Sequence, residues 1–456
     1  MSRYANALFI FRRDLRLHDN SALNLALVHS DRVLPCFIFD PRQINPHPYQ
    51  SKPALQFMLE SLIDLRQEFH ATGFDLALYD GLPSTVVRQV FRHFRINAVF
   101  VNRDYTPFSG IRDNELDQAC QELGIDFHVV PDYLLLEPEQ AVKGDGSPYK
   151  VFTAFYNNAR RFPVSLPKPL ERESFIINTQ QSISAETLLS SSSAFADGLH
   201  GGRSQALELL NQLDNQTNYL TQRDYPALDA TSRLSAHLKF GTCSIREAYY
   251  AIIQHLGVDH PLLRQLYWRD FFTHIAYYFP YVFGKAFLSQ YDSLVWDNDQ
   301  VQFQRWCEGT TGFPVVDAGM RELNRTGFMH NRVRMIVASF LIKDLHISWR
   351  WGERYFAQHL VDYDPAVNNG NWQWAASTGC DAQPYFRIFN PWLQQQKFDP
   401  ECQYIYRWIP EFKGIPATII HHWHSKHSGT LYPAPILDHS RESKITKERY
   451  KNTMTR

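Results

Sequence analysis

Ten tryptophans fall between Trp268 and Trp423, and the first 267 residues contain none. Tryptophan stacks well on flat heterocycles, and its indole passes single electrons. The densest setting is residues 362–392, DYDPAVNNGNWQWAASTGCDAQPYFRIFNPW. The run mixes Trp with Asn, Gln, Ser, Thr and Asp and follows neither a 3.6-residue nor a two-residue apolar period. Aromatic faces interleaved with amides and a few charges suit a pocket for a large flat ligand. An irregular core segment is the plainer account of any one tryptophan.

Three further constellations carry chemistry. In LRQLYWRDFF (residues 263–272) a helix would place Gln265, Trp268, Arg269 and Phe272 on one face, offering an amide, an indole and a guanidinium to a planar ligand. Core packing with an Arg269–Asp270 pair is the alternative. In TGFMHNRVRM (326–335), Asn331 and Met335 stand one turn apart. The amide offers donor and acceptor to a pyrimidine edge, and the thioether is soft filling against an aromatic face. Arg332 and Arg334 point elsewhere, to phosphate or to solvent. In TSRLS (231–235) hydroxyls and backbone amides at a helix start suit a pyrophosphate, unless Thr231 or Ser232 is simply the N-cap. His421, His422, His424 and His427 have no Cys or carboxylate at a useful spacing, so an exposed polar turn is expected there and no metal site.

The elements that position these residues fall into two kinds. Over the first 130 residues, apolar runs at 7–11, 33–39, 75–79, 98–102 and 126–130 read as buried strands. Helical spacing at 55–70, 84–94 and 111–123 separates them. Such alternation predicts a doubly wound parallel α/β sheet, Rossmann-like but without GxGxxG after the first strand. Residues 131–203, with Pro163, Pro167, Pro169, serines 190–193 and Gly201–Gly202, read as a long connection. From 204 to 456 the pattern is helical, notably at 204–213, 261–278 and 331–345. The expected division is 1–130, 131–203 and 204–456, an α/β domain, a linker and an all-α domain.

Composition narrows the class of protein. With 456 residues, 44% hydrophobic and 20% charged, the chain is a folded protein of two domains or more. Apolar stretches such as 335–342 fall short of the roughly 20 residues of a membrane span. The N-terminus reads as a strand entering a basic turn, with no signal peptide. Six scattered cysteines without a CxxC pair point to reduced, buried thiols in a cytoplasmic protein. A net charge of −1 confines any nucleic-acid surface to a local basic patch. No heptad or surface stripe calls for a partner copy, so a monomer is expected.

These motifs together resemble the DNA photolyase/cryptochrome family, and within it the class I cyclobutane pyrimidine dimer photolyases. The resemblance runs nearly end to end. It rests on FRRDLRLHDN (11–20), TSRLS, YWRDFF, TGFPVVDAGMRELNRTGFMHNRVRM (311–335) and the 362–391 run. It implies an antenna domain, a linker and a helical FAD-binding domain. Tyr219, Thr231, Ser232, Leu234 and Ser235 would cradle the pyrophosphate and ribose of FAD. Arg269, Arg334, Asp362, Asp364 and Asn368 would surround its rings, with Asn368 facing flavin N5 and Arg334 paired to Asp362. Trp372, Trp349 and Trp296 match the family's photoreduction chain, from flavin to surface.

The partner so implied is UV-damaged DNA, its pyrimidine dimer flipped into the pocket. Trp268 and Trp374 would form the walls, Asn331 would bond a base edge, Met335 would complete the pocket, and Arg223, Arg332 and Arg387 would grip flanking phosphates. Light-excited reduced flavin would lend the dimer an electron, and the electron would return after the ring splits. The chain departs from the pattern at Gln265, where the family's glutamate would hydrogen-bond the dimer; glutamine also occurs in (6-4) photolyases. Near Thr106 and Phe283–Gly284 it lacks the residues of a folate antenna site. The second chromophore, folate or deazaflavin or another flavin, stays open. A cryptochrome-type photoreceptor and a (6-4) photolyase are the alternative functions.

Overall fold

A computed structural model describes residues 2–177, 197–228, 230–426 and 432–454. Serines 190–193 and His427 lie outside the described residues. By contact the chain forms two compact units that interleave along the sequence. The first comprises 1–194, 200–217 and 232–278, and the second 195–199, 218–231 and 279–456.

The first unit is built on a five-stranded sheet: β1 (Tyr4–Phe11), β2 (Ser30–Phe39), β3 (Ala77–Asp80), β4 (Ala98–Asn102) and β5 (Asp126–Val130). All pairings are parallel, in the order β3-β2-β1-β4-β5. Leu8 of β1 pairs with Leu34 and Val99, and the three sit in one core with Ile10, Cys36 and Val101. The crossovers use α1 (Ser21–His29), α2 (Lys52–Ala71), α3 (Pro83–Phe94) and α4 (Pro107–Leu123). The doubly wound sheet expected from the alternating pattern is therefore present. One expectation needs correction. β5 is not a buried strand, because it pairs only with β4 and lies half-exposed at the sheet edge.

The same unit holds α5 (Phe152–Ala159), α6 (Arg203–Asn211), α7 (Ser235–Phe240), α8 (Ile245–Leu256) and α9 (Leu263–Tyr278). The pattern-based division groups residues 232–278 with the helical part; the contacts group them with the sheet. Buried charge explains why. Arg16, just past β1, and Arg246 of α8 both bond Asp132, at 2.6 and 2.7 Å, and Arg246 also bonds Asp19 at 2.8 Å. Burial alone would raise the Asp132 carboxyl, yet the two guanidiniums hold it down at about 2. Gly241, with φ +66°, lies so close that a β-carbon would sit 2.2 Å from the Arg13 carbonyl oxygen.

The second unit is helical: α10 (Gln300–Glu308), α11 (Pro314–Thr326), α12 (Asn331–Lys343), α13 (Trp349–His359), α14 (Pro365–Ala376), α15 (Pro391–Phe398) and α16 (His439–Met454), with short turns between them. Its core gathers Trp306, Phe340, Trp349, Phe356 and Trp372. The run 362–392, irregular by periodicity, contains a regular helix, α14. It shows no apolar stripe because its buried face carries the amides of Asn368, Asn369 and Gln373 among Ala366, Trp372 and Ala376, while Trp374 lies on the more open face. All six cysteines are buried.

Candidate active site

In the first unit the site residues cluster on α9, which is helical as its spacing predicts. Asp270 faces inward and accepts from the backbone N–H groups of Leu135 and Leu136, at 2.8 and 3.3 Å. Complete burial pushes its carboxyl up to about 7, against the pull of Arg269 and those amides. His274 and Tyr278 bond the carbonyls of Leu136 and Pro138, so the helix is anchored along its length. The indole of Trp268 lies flat on Phe152 of α5, with centroids 3.6 Å apart and planes within 6°. Gln265 is half-buried and its amide makes no hydrogen bond among the described residues. Arg269 donates to the carbonyls of Tyr133 and Leu238 and stacks over the Tyr133 ring at 3.5 Å. Its guanidinium thus ties α9 to Tyr133 and to the end of α7, and lies 3.5 Å from the Asp270 carboxylate.

The TSRLS turn precedes α7. Leu234 occupies the N-cap position and no side chain caps the helix, so neither Thr231 nor Ser232 does so. Arg233 takes φ +51°, which turns the chain sharply, and Ser235 is exposed at the first helical position. Hydroxyls beside uncapped first-turn amides are an arrangement an anion completes.

In the second unit, Asn331 opens α12 and its Nδ2 lies 3.9 Å from Met335 Sδ, so the expected pair is together. Arg334 grips Asp362 with two bonds, at 3.1 and 3.0 Å, and donates its Nε–H to the Met329 carbonyl. Asp364 caps α14 by accepting from the backbone N–H groups of Ala366 and Val367. One turn on, Asn368 donates its amide to the Glu353 carbonyl at 3.1 Å and to the Glu353 carboxylate at 3.0 Å. That fixes the orientation of the amide and leaves Oδ1 as an acceptor with no partner among the described residues. Glu353 carried no signal in the sequence; only its place on α13 beside α14 reveals it.

The three tryptophans of the expected relay are arranged around α13. Trp372 and Trp349 are each 2% exposed, and Trp296 is half-buried against the same core. A β-carbon on Gly352 of α13 would meet the Trp372 ring at 2.1 Å, so glycine is what seats this indole. Asn298, two residues past Trp296, accepts the Ser348 backbone N–H directly before Trp349. Trp306, which the motif reading passed over, stands edge-on to Trp372 at 6.3 Å.

The remaining expected residues are less uniform. Trp374 is half-buried at the core edge. Tyr219 is buried under the Arg223 guanidinium, 5.5 Å from its ring. Arg332 is ion-paired with Asp224 at 2.9 Å and stacks on Phe398 at 4.4 Å. Arg387 is exposed. Of the histidine run, His421 is buried against Gln395 and the Pro400 carbonyl, while His422 and His424 are exposed. No group of three or more metal-ligating side chains occurs among the described residues.

Two family models match: the DNA photolyase domain over residues 7–171 and the FAD-binding domain of DNA photolyase over 262–452. A protein of Alkalihalophilus pseudofirmus named deoxyribodipyrimidine photo-lyase is 36% identical over 95% of each chain. The chain belongs to the DNA photolyase family. Among solved structures, an archaeal photolyase from Sulfolobus tokodaii, described with two FAD molecules, is 46% identical over 98% of this chain and all of its own, with a TM-score of 0.89. A Synechocystis cryptochrome is 28% identical over 98% of this chain and all of its own, also at 0.89. This photolyase is accordingly a DNA-repair lyase with FAD as its cofactor. Asn368 suits the flat, polar-edged rings of that group, because its Oδ1 is an acceptor with no partner among the described residues.

Proposed function

We propose that this photolyase repairs cyclobutane pyrimidine dimers in UV-damaged DNA, taking the dimer flipped out of the helix. The observation that carries the reading is the Asn331–Met335 pair at the start of α12. An amide beside a thioether suits a pyrimidine edge and an apolar ring. The adjacent His330 is buried as the helix N-cap, its imidazole accepting from the Arg332 N–H, which speaks against the histidine pair of a (6-4) enzyme.

Bound FAD, in its reduced form, supplies the light-excited electron for ring opening. The chain's own residues bind and orient. Tyr219, Thr231, Ser232, Leu234 and Ser235 hold the diphosphate and ribose, and Arg269, Arg334, Asp362, Asp364 and Asn368 surround the rings. Trp268 and Trp374 wall the dimer, and the unspent amide of Gln265 donates to one of its carbonyls. Arg223, Arg332 and Arg387 take the flanking phosphates. Trp372, Trp349 and Trp296 relay electrons between the cofactor and the surface, the two buried indoles lying inward of the half-buried Trp296. Functionally, 1–130 is the antenna domain, 131–203 the connector and 204–456 the cofactor and lesion domain of a cytoplasmic monomer. A second, flavin-type chromophore fits the carboxyl ends of β1 and β4, where the strand order reverses.

Equilibrium binding to a duplex bearing one thymine dimer, one (6-4) product or no lesion tests this reading. Tighter binding to the dimer is expected, and equal binding to all three would overturn it in favour of a photoreceptor.

A further inference from the structure

The connector carries an uneven charge. Between Asp145 and Glu171 the sequence holds Lys150, Arg160, Arg161 and Lys168 and no acidic residue, in a chain whose acidic residues otherwise balance its basic ones. The segment includes α5, whose Phe152 is the floor on which Trp268 stacks. From Phe152 the aromatic surface continues to Tyr156, stacked at 5.8 Å and 17°. Two guanidiniums converge on it: Arg264 of α9 at 5.0 Å from Phe152 and 5.2 Å from Tyr156, and Arg160 at 5.6 Å from Tyr156.

Many other arginines of this unit are neutralised. Arg12, Arg13, Arg16, Arg42, Arg103 and Arg246 all have carboxylate partners. Arg160, Arg161 and Arg264 are exposed and make no ion pair among the described residues. Like charges gathered near one ring repel each other, and a polyanion laid across them relieves that. Cation–π contact holds the forks of Arg160 and Arg264 in place without consuming their donors.

We infer that the outer face of α5, with Arg160, Arg161 and Arg264, is a second DNA grip, taking backbone phosphates beyond the nucleotides that flank the dimer. The inference rests on Trp268 being a wall of the lesion pocket. Tyr156 carries the surface one ring beyond Phe152, away from the indole. Arginine suits the task because its planar fork meets phosphate with two bonds.

The test measures holoenzyme affinity for a dimer-bearing duplex across a salt series, beside affinity for the isolated thymine-dimer dinucleotide. The variants are Arg160→Gln/Arg161→Gln and Arg264→Gln. Each lost phosphate contact should flatten the log–log salt slope by about 0.9 and weaken duplex binding about eightfold at 0.1 M salt. Dinucleotide affinity should not move. An unchanged slope on the duplex, or an equal loss on the dinucleotide, overturns the grip. Should the wild type show no preference for damaged DNA, the dimer reading fails on its own. The grip is then judged on undamaged duplex, where the same flattening is expected and a constant slope refutes it.

Discussion

Alanine at Gly352 tests the seating of Trp372. The added methyl would stand 2.1 Å from Cη2 and 2.4 Å from Cζ3 of that indole, and 2.6 Å from Cδ2 of Leu341. Comfortable carbon contacts are about 3.5–4.0 Å, so the ring or α13 must shift by roughly 1.5 Å. There is little room to do so, because Phe356 and Trp306 pack edge-on against the same indole at 4.9 and 6.3 Å. Overpacking of this kind costs about 1–3 kcal/mol and should lower the apparent Tm by several degrees. If Trp372 is the first step of the relay, moving it should also slow photoreduction. The assay follows blue-light reduction of oxidised FAD with an external reductant, with Trp372→Phe as the reference for a broken relay. Gly352→Ala should fall between that variant and the wild type. A variant with a lower Tm but wild-type photoreduction would refute the link between this seat and electron transfer.

Other expectations follow from the buried charges. Asp270 is protonated more readily folded, with its carboxyl at about 7, than unfolded, near 3.9. Its contribution to stability is therefore fully present below pH 4 and is lost as the pH rises to 7, by roughly 4 kcal/mol. Asp270→Asn removes that slope, so its stability relative to wild type, from urea unfolding at pH 5 and pH 7.5, should improve at the higher pH; a constant difference contradicts the assignment. Arg334→Gln strands the Asp362 carboxylate, which is 5% exposed, and should cost about 3 kcal/mol together with FAD retention, read as flavin absorbance after gel filtration. Adding Asp362→Asn should recover part of that stability, and an additive second loss would show that the pair is not the cause.

Much of this was legible from residue type and spacing. The apolar runs at 7–11 and 33–39 read as the buried strands they are, and α9 and α12 follow from 3.6-residue spacing that the fold keeps. Asn331 and Met335 meet because one helical turn brings them together. Other features depend on tertiary neighbours. α14 hid its helix because the amides of Asn368, Asn369 and Gln373 sit on its buried face and interrupt any apolar stripe. Phe152 lies more than a hundred residues before the tryptophan it supports, in a segment whose prolines suggested only a connection. Glu353 matters through α13–α14 packing, and residues 232–278 join the sheet through Arg246, whose partners Asp19 and Asp132 are remote in sequence. β5 read as buried because an edge strand and a central one share the same apolar letters.

The most direct measurement reduces the bound FAD and illuminates the enzyme with a thymine-dimer oligonucleotide, beside a (6-4) substrate and a dark control, following recovery of intact thymine. The account predicts light-dependent repair of the dimer alone, with Gln265 in place. Absence of repair, while the flavin is bound and Trp372, Trp349 and Trp296 still support photoreduction, would contradict it.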